Sequence, residues 1–218
     1  PLGTTMPEFL DLTRESFEVA EDEDTAVLLI PGLSLEYADQ WRAPPLELGW
    51  KGRVRVRGAS APLSTVNFLQ TELRGELALP LGERARMLTR VDFGTTFAPA
   101  LADLPPSVRY FAGGDQSIRG YALDELGPRD ENGEVRGGRS LLVGSLELEY
   151  RIRGNWAAAA FVDSGGAFNG EEDPVFTGVG FGARWYSPFG PVRVDLGFPL
   201  DDVGRTVRLH LGVGTTFR

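Results

Sequence analysis

The sequence predicts an all-β fold, a transmembrane antiparallel β-barrel of about ten strands, as a single domain over residues 1–218. Three observations lead to this fold class. Apolar and polar residues alternate along most of the chain, as in strands with two unlike faces. Short turns alternate with long loops toward the C-terminus, and aromatic residues cluster beside the short turns, as in outer-membrane barrels.

The alternation marks the strands in order along the chain. We expect strands near residues 8–20, 26–38, 46–58, 67–79, 86–97, 141–152, 156–164, 177–187, 191–199 and 206–217. The last of these, the terminal strand, has the clearest pattern. Its apolar face carries Val207, Leu209, Leu211, Val213 and Phe217. Arg208 and His210 fall on the opposite face, so this strand has one lipid-facing side and one polar side.

A soluble β-sandwich would also alternate, and the charged residues separate the two possibilities. In RVRVR, residues 53–57, long basic side chains occupy the polar face in the middle of a strand. Nearly every strand carries such charges over about ten residues, which is the length of a tilted membrane strand. The predicted interfacial aromatic residues are Tyr150, Trp156, Trp185, Tyr186 and Phe217. Together these features favour the membrane barrel.

Composition argues against several classes of protein. The formal net charge of -9 argues against a nucleic-acid partner, which would need a basic surface. The chain has no cysteine, so disulfides and thiolate metal ligands are excluded. No apolar run approaches the length of a membrane-spanning helix. The opening residues, PLGTTMPEFL, lack the features of a signal peptide, so we expect a mature product or a fragment.

The longest predicted loop, 98–140, contains the sequence RYFAGGDQSIRGY. A loop of this length in a compact domain is typical of a functional or a disordered segment, and the apolar side chains beside Arg119 favour an ordered one. We therefore expect the loop to fold back into the barrel lumen, with its glycines in tight turns. The residues of this loop motif are Gly113, Gly114, Asp115, Ile118, Arg119, Gly120 and Tyr121.

A buried arginine needs a partner, and the strand motif FVDSG at 161–165 supplies one. The alternation directs Phe161, Asp163 and Gly165 to the lumen. The next strand directs three glycines inward and leaves a groove that another backbone can approach. These are Gly178, Gly180 and Gly182. We predict that Arg119 lies against Asp163 over this groove as a bidentate ion pair.

The two motifs also carry a family resemblance. IRGY at 118–121 and FVDSG at 161–165 resemble the paired motifs of bacterial outer-membrane assembly and two-partner-secretion barrels. The run from 109 to 217, with LLVGSLELEYRI and GVGFGARWYSPFGPVRVDLGFPL, is similar to the TamA group, the outer-membrane subunit of the translocation and assembly module. The resemblance implies a sixteen-stranded barrel, upstream POTRA domains and a weakly paired seam between first and last strands. This sequence departs from it, since it contains no POTRA domain and only about ten strands. We therefore expect either a portion of a sixteen-stranded barrel or a closed short barrel.

The resemblance implies a function as well. It implies a location in the outer membrane of a Gram-negative-type bacterium, contact with the lipid bilayer and a TamB-like partner anchored in the inner membrane. It also implies that the protein helps client outer-membrane proteins, such as autotransporters, to fold, insert or translocate. The ion pair of Arg119 and Asp163 would then either fix the loop structurally or take part in handling clients. A two-partner-secretion transporter and a passive or engineered pore are the alternatives.

Enzymatic and metal-binding functions have little support in the sequence. His210 is the single histidine, and no nucleophile motif accompanies it in the sequence. We expect it to be a polar residue that lines the lumen. The segment PRDENGE at 128–134 lacks the spacing of a calcium-binding loop. The glycines of GVGFG are spaced within a strand, unlike those of a nucleotide-binding loop. We therefore predict no catalytic residue, no metal and no cofactor.

Overall fold

A computed structural model describes residues 8–19, 22–42, 48–60, 64–100, 104–188, 190–201 and 207–213. The described chain forms one ten-stranded antiparallel sheet, which confirms the predicted fold class. The strands are β1 (Glu8–Val19), β2 (Asp22–Arg42), β3 (Leu48–Ala59), β4 (Phe68–Leu81), β5 (Ala85–Phe97), β6 (Ser140–Arg153), β7 (Trp156–Phe168), β8 (Phe176–Ser187), β9 (Gly190–Pro199) and β10 (Arg208–Val213). No helix in the described part of the chain is long and apolar enough to cross a membrane.

The strands follow one another in space in their sequence order, from β1 to β10. Each pairs with its neighbours along the chain, so every connection is a hairpin, as in an up-and-down barrel wall. Among the described residues, β1 and β10 lie at the two ends of this sheet.

Most strand boundaries in the described residues agree with the prediction to within two residues, with two differences. Strand β2 is longer than predicted, and β7 continues to Phe168 rather than ending at 164. The extension of β7 is favoured because Gly165, Gly166 and Ala167 are buried in the fold. Strand β10 is described only from Arg208 to Val213. Val207 therefore precedes it, and the predicted residue Phe217 lies outside the described residues.

The two faces of the sheet differ as the alternation predicts. The outer face exposes large apolar side chains, including Phe181, Leu209 and Leu211. Trp156 and Trp185 stack on it beside the short turns, with ring centroids 6.1 Å apart. Tyr186, predicted to be an interfacial aromatic residue, instead points to the inner face. There its hydroxyl donates a hydrogen bond to Glu149, because position 186 has the opposite parity to Trp185.

The connection between β5 and β6 packs on the inner face of the sheet. Its described part, residues 104–139, is here called the inner segment. It begins with a short 3-10 turn at Pro106–Val108 and then folds on itself through the bridges Tyr110–Gly138 and Ala112–Leu126. A buried apolar cluster attaches it to the wall: Ala112, Ile118, Tyr121, Leu126, Val143 and Phe176. Each fully buried large side chain of this kind contributes about 1.5–3 kcal/mol, so the inner segment is a packed part of the fold.

Candidate functional site: a buried ion network on the inner face

The tip of the inner segment presents Arg119 to the wall. Gly120 follows it with a φ of +101°, a conformation that favours glycine, and the turn brings its backbone against Phe198 and Pro199 of β9. Arg90 of β5 fixes the preceding residues, because its two terminal nitrogens donate to the carbonyl oxygens of Gln116 and Ser117, each at 2.7 Å.

Arg119 and Asp163 form a bidentate pair. Arg119 Nε donates to Asp163 Oδ2 at 2.7 Å, and Nη2 donates to Oδ1 at 2.9 Å. The backbone amide of Arg119 also donates to Oδ2, at 3.1 Å, and Ser145 Oγ donates to Oδ1 at 2.6 Å. The side chains of Arg119 and Asp163 are 3% and 0% exposed. This geometry fixes both the position and the orientation of the guanidinium.

Two further carboxylates connect Arg119 to a second arginine, Arg184 of β8. Arg119 Nη1 donates to Glu147 Oε2 at 2.6 Å and to Asp195 Oδ2 at 3.3 Å. Arg184 Nη2 donates to Glu147 Oε1 at 2.8 Å, and its Nη1 donates to Asp195 Oδ1 at 2.5 Å. Each carboxylate thus receives several charged donors, which is what a buried ion network requires. We call Arg119, Glu147, Asp163, Arg184 and Asp195 the buried cluster.

The network continues toward the short turns between strands. Arg184 Nε lies 3.3 Å from Glu149 Oε1, and Arg86 Nε donates to Glu149 Oε2 at 2.8 Å. Arg86 Nη2 contacts the hydroxyl of Tyr186 at 2.6 Å. The charged side chains of β5, β6 and β8 are therefore linked into one connected structure below the tip of the inner segment.

An aromatic ring supports the arginine. The guanidinium carbon of Arg119 lies 3.4 Å from the centroid of the Phe161 ring. This cation–π contact uses the face of the guanidinium, while its edges are used by the carboxylates. Phe161 thus explains why an aromatic residue precedes Asp163 by two positions on the same side of β7.

Burial and pairing act on the pKa of Arg119 in opposite directions. Burial alone lowers it, but the hydrogen bond to Asp163, the charge of Asp163 and then the charge of Glu147 raise the pKa above its ordinary value. The guanidinium of Arg119 therefore stays charged in the folded protein.

Two glycines allow the inner segment to lie directly on the wall. A Cβ on Gly178 would overlap the carbonyl oxygen of Arg119, and a Cβ on Gly197 would lie 2.5 Å from the amide nitrogen of Gly120. These are the positions where one backbone approaches another too closely for a side chain.

The other two glycines of the predicted groove have different neighbours. A Cβ on Gly180 would overlap the ring of Phe161, and a Cβ on Gly182 would overlap the carboxylate of Asp195. Both glycines therefore make room for side chains of the network rather than for the inner segment. The floor below the tip is formed by Gly178 of β8 and Gly197 of β9, a neighbour that the sequence analysis did not single out.

Two contacts join the inner segment to β10. The amide nitrogen of Gly120 donates to His210 Nε2 at 3.0 Å, and Arg208 Nη2 lies 3.4 Å from Glu125 Oε2. The first contact requires the imidazole to present a lone pair at Nε2, which a neutral histidine does. His210, predicted to be simple polar lining, therefore has a specific partner in the motif IRGY.

Tyr121 closes the motif on the side of the long loops. Its hydroxyl donates to Asp201 Oδ2 at 2.7 Å, and the same oxygen accepts the amide of Thr177 at 2.7 Å. Burial, and then the hydrogen bond to Asp201, raise the pKa of Tyr121 to about 12. The phenol is therefore neutral over the whole physiological range.

The structure brings the predicted loop motif and the predicted strand motif into contact. Gly113 and Gly114 have φ values of +106° and +93° and form the turn before the tip, where Asp115 is half-buried. Gly165 lies against the backbone of Leu142, which brings β7 close to β6. Among the described residues no group of three or more histidine, cysteine or acidic side chains is arranged to hold a metal.

Sequence reasoning missed three members of the buried cluster as site residues, namely Glu147, Arg184 and Asp195. Each lies at an inward position of an alternating strand, so the pattern gave its face but not its height along the barrel wall. Height depends on cross-strand register, which pairs Glu147 with Phe161 and Gly182 with Asp195. Register is set by turns and packing and is not visible in the alternation.

The fold and the buried cluster define a class of protein, an outer-membrane β-barrel whose longest inter-strand segment is held against the inner wall by a buried arginine. The chain belongs to the Omp85 superfamily, whose domain matches residues 47–217. It is located in the outer membrane of a Gram-negative-type bacterium.

Two relatives show this similarity in sequence. The chain is 34% identical over 128 residues to "Outer membrane protein assembly factor BamA" of Nitratidesulfovibrio vulgaris, which covers 55% of this chain and 16% of that protein. It is 35% identical over 123 residues to "Outer envelope protein 80, chloroplastic" of Arabidopsis thaliana, which covers 50% of this chain and 15% of that protein.

Two solved structures show a similarity of fold. The crystal structure of BamA from Haemophilus ducreyi lacking POTRA domains 1-3 superposes with a TM-score of 0.74 at 21% identity, over 91% of this chain and 45% of that chain. CdiB from Acinetobacter baumannii gives a TM-score of 0.56 at 17% identity, over 88% of this chain and 34% of that chain. The chain therefore spans less than half the length of each of these four proteins.

Proposed function

We propose that this chain is the C-terminal barrel portion of a TamA-like factor that helps client outer-membrane proteins, such as autotransporters, to fold, insert or translocate. Membership of the Omp85 superfamily supports the general role. So does the similarity to a protein named as an outer-membrane protein assembly factor. In this proposal the protein works by pairing and packing, with no catalytic residue, metal or cofactor.

The observation that carries the proposal is that the inner segment contacts both the inner face of β6–β9 and the last described strand, β10. The buried cluster attaches the segment to β6–β9, and His210 and Arg208 attach the same segment to β10. In the described chain β10 pairs with β9 alone, so its other edge presents backbone groups that a client strand can pair with. The inner segment would hold that edge in place while the client strand adds to it.

The proposed partners follow from the two faces of β10 and from the family resemblance. Leu209, Leu211 and Val213 expose apolar side chains to the bilayer, and the edge of the strand is offered to clients. A TamB-like partner anchored in the inner membrane would meet the full-length protein on the side of the short turns. The loop motif, the FVDSG motif and the glycine floor would serve to position β10, not to bind the client directly.

A crosslinking experiment tests this proposal. These 218 residues contain no cysteine, so a single cysteine placed among them is unique within this part of the protein. Full-length protein carrying Leu211→Cys, in liposomes, should crosslink to a cysteine in a strand of a small client barrel during its folding. Ala160→Cys, which also faces lipid but lies in the middle of the wall, is the matched control. Equal crosslinking at both positions, or no acceleration of client folding by the wild type, would contradict the proposal.

A second candidate is a transporter of the two-partner-secretion type, which would conduct an unfolded client through the lumen. The observation that favours it is that the inner segment covers the inner face of β6–β9, where it would obstruct a lumen. In that case removal of residues 104–139 should open a conductance that a client polypeptide blocks. A passive pore would conduct after the same deletion but show no block by a client.

A further inference from the structure

The outer face of β3–β6 contains a row of glycines. Gly52 of β3 is the direct cross-strand partner of Gly75 of β4, and Val91 of β5 is the partner of Gly144 of β6. Since Gly75 also pairs with Val91, these positions form one continuous line perpendicular to the strands. The alternation puts the whole line on the lipid-facing side, and Tyr37 of β2 extends it by one strand.

Apolar side chains form a ridge on each side of this line. One ridge contains Leu35, Val54, Leu73, Phe93 and Leu142, which are cross-strand partners in turn. The other contains Trp50, Leu77, Thr89 and Leu146. The ridges are four residues apart along each strand, or about 13 Å at ~3.3 Å per residue. The depression between them, here called the outer-face groove, has a volume of about 640 Å³ and reaches from Tyr37 to Phe93.

The inner and outer glycines of this sheet differ in what lies above them. On the inner face, Gly178 and Gly197 are covered by the inner segment. On the outer face, an added Cβ on Gly52 would lie 3.2 Å from the ring of Trp50. Among the described residues, a Cβ on Gly75 would meet no atom within 4 Å, and one on Gly144 would meet only a carbonyl oxygen at 3.9 Å. Glycine weakens a strand interior and often marks close approach by another group. The packing of the chain itself does not require glycine at Gly75.

The chemistry of the outer-face groove identifies its occupant. Its exposed surface is mostly apolar, and the charged residues that border it, Glu36, Arg53 and Arg74, form ion pairs with their side chains on the inner face. Strands β3 and β4 are each paired on both sides, so a client strand cannot add to them by backbone hydrogen bonds. Tyr37 lies on the glycine line as the partner of Gly52, and its ring is 4.7 Å from the ring of Trp50 on the ridge nearer the short turns.

We propose that the outer-face groove binds one acyl chain of a phospholipid. The glycines let the chain approach the backbone, as small residues do in membrane packing, and the two ridges hold it laterally. Bound in this way, the lipid would fill the groove as a fixed part of the lipid-facing surface at β3–β6, far from the free edge of β10.

Native mass spectrometry of the full-length protein tests this directly. The protein would be released from nanodiscs of phosphatidylethanolamine and phosphatidylglycerol, and the retained phospholipids counted. The wild type should retain one phospholipid that Gly75→Leu, which fills the groove, reduces about tenfold, the effect of losing contact with roughly two methylene groups. Gly75→Ala should reduce it less. Ala160→Leu adds a similar side chain to the outer face outside the groove and should leave retention unchanged.

The folded state of each variant is checked by its migration on a gel before and after heating, and Gly75→Ala serves if Gly75→Leu does not fold. Retention that is equal in wild type and both Gly75 variants would place the lipid elsewhere and overturn the proposal. So would a wild type that retains no phospholipid. A polypeptide that crosslinks to Leu73→Cys and excludes lipid would overturn it in favour of a protein partner at the groove.

Discussion

The inner faces of β6–β9 and of β2–β5 both carry paired charges, but the two regions differ in how far these pairs are buried. In the first region Arg119 and Asp163 are 3% and 0% exposed, beneath the inner segment. In the second, Arg53 pairs with Glu36 at 32% and 31% exposure, and Arg55 pairs with Glu72 at 37% and 30%. We call this second set, Glu36, Lys51, Arg53, Arg55 and Glu72, the open ladder.

The comparison shows that charged residues of the wall need a full set of donors and acceptors when another segment buries them. In the buried cluster three carboxylates face two arginines, and each carboxylate accepts from several donors in fixed geometry. In the open ladder water can replace a lost partner, so the pairs need no such completeness. The tip of the inner segment is therefore held at the covered half through Arg119, while Arg90 of β5 and Gln70 of β4 donate hydrogen bonds to its backbone from the other half.

The largest expected effect is at the centre of the buried cluster. Arg119→Ala leaves three buried carboxylates without their shared partner and should lower the free energy of unfolding by roughly 3–5 kcal/mol. Denaturant unfolding of the full-length protein measures this. Arg119→Lys keeps the charge but loses the bidentate geometry and the contact with Phe161, so an intermediate loss is expected. A loss no greater than that of an open-ladder variant would contradict the account.

A smaller effect is expected where the inner segment touches the wall. Gly178→Ala forces a Cβ into the carbonyl oxygen of Arg119, so it should cost about 1–3 kcal/mol of stability as an overpacked site. Hydrogen exchange should show the loss of protection in residues 104–139, with the strands largely unaffected. Gly75→Ala is the matched control, because its Cβ enters open space. If both variants behave alike, the inner segment does not rest on Gly178.

Tyr121 gives an effect that depends on pH. Tyr121→Phe removes the hydrogen bond to Asp201 and should cost about 1 kcal/mol at neutral pH. The folded pKa of about 12 lies above the ordinary value near 10, so the neutral phenol is the stabilising form. Its contribution is complete below about pH 10 and is lost as the pH rises through about 12. The measurement is an absorbance titration of tyrosinate. The difference between wild type and variant should titrate near pH 12 rather than near pH 10. A difference spectrum that titrates near 10 would be the contrary result.

The smallest effect belongs to the open ladder. Arg53→Ala removes a half-exposed pair with Glu36 and should change the unfolding free energy by about 0–1 kcal/mol. Added salt should screen the wild-type pair, so the difference between wild type and variant should shrink further. A loss comparable with that of Arg119→Ala would remove the distinction between the two halves.

The sequence predicted the strands well because alternation is a local property. The parity of β7 and β8 correctly placed Asp163 on the inner face and Val162 on the outer face. The same rule, applied to Tyr186, would have removed it from the interfacial aromatic residues. The extents of β2 and β7 were less accurate, since strand ends depend on what covers them.

The candidate site was visible only in part, for a physical reason. A sequence motif suggested one pair, Arg119 with Asp163, and an isolated pair would tolerate exchange of its two charges. In the structure Arg119 also contacts Glu147 and Asp195, so an acidic residue at 119 would face two further carboxylates. The exchange should therefore not restore stability. Such convergence comes from cross-strand register over four strands, which no local pattern contains.

Two double-mutant cycles test the central claim most directly. One couples Arg119→Ala with Asp163→Ala, and the other couples Arg53→Ala with Glu36→Ala, each measured by denaturant unfolding of the full-length protein. The account predicts a coupling energy of about 1.5–3 kcal/mol for the covered pair and less than about 0.5 kcal/mol for the open pair. Equal coupling in the two cycles would contradict the claim that the inner segment makes the covered pair of Arg119 and Asp163 stronger than the pairs of the open ladder.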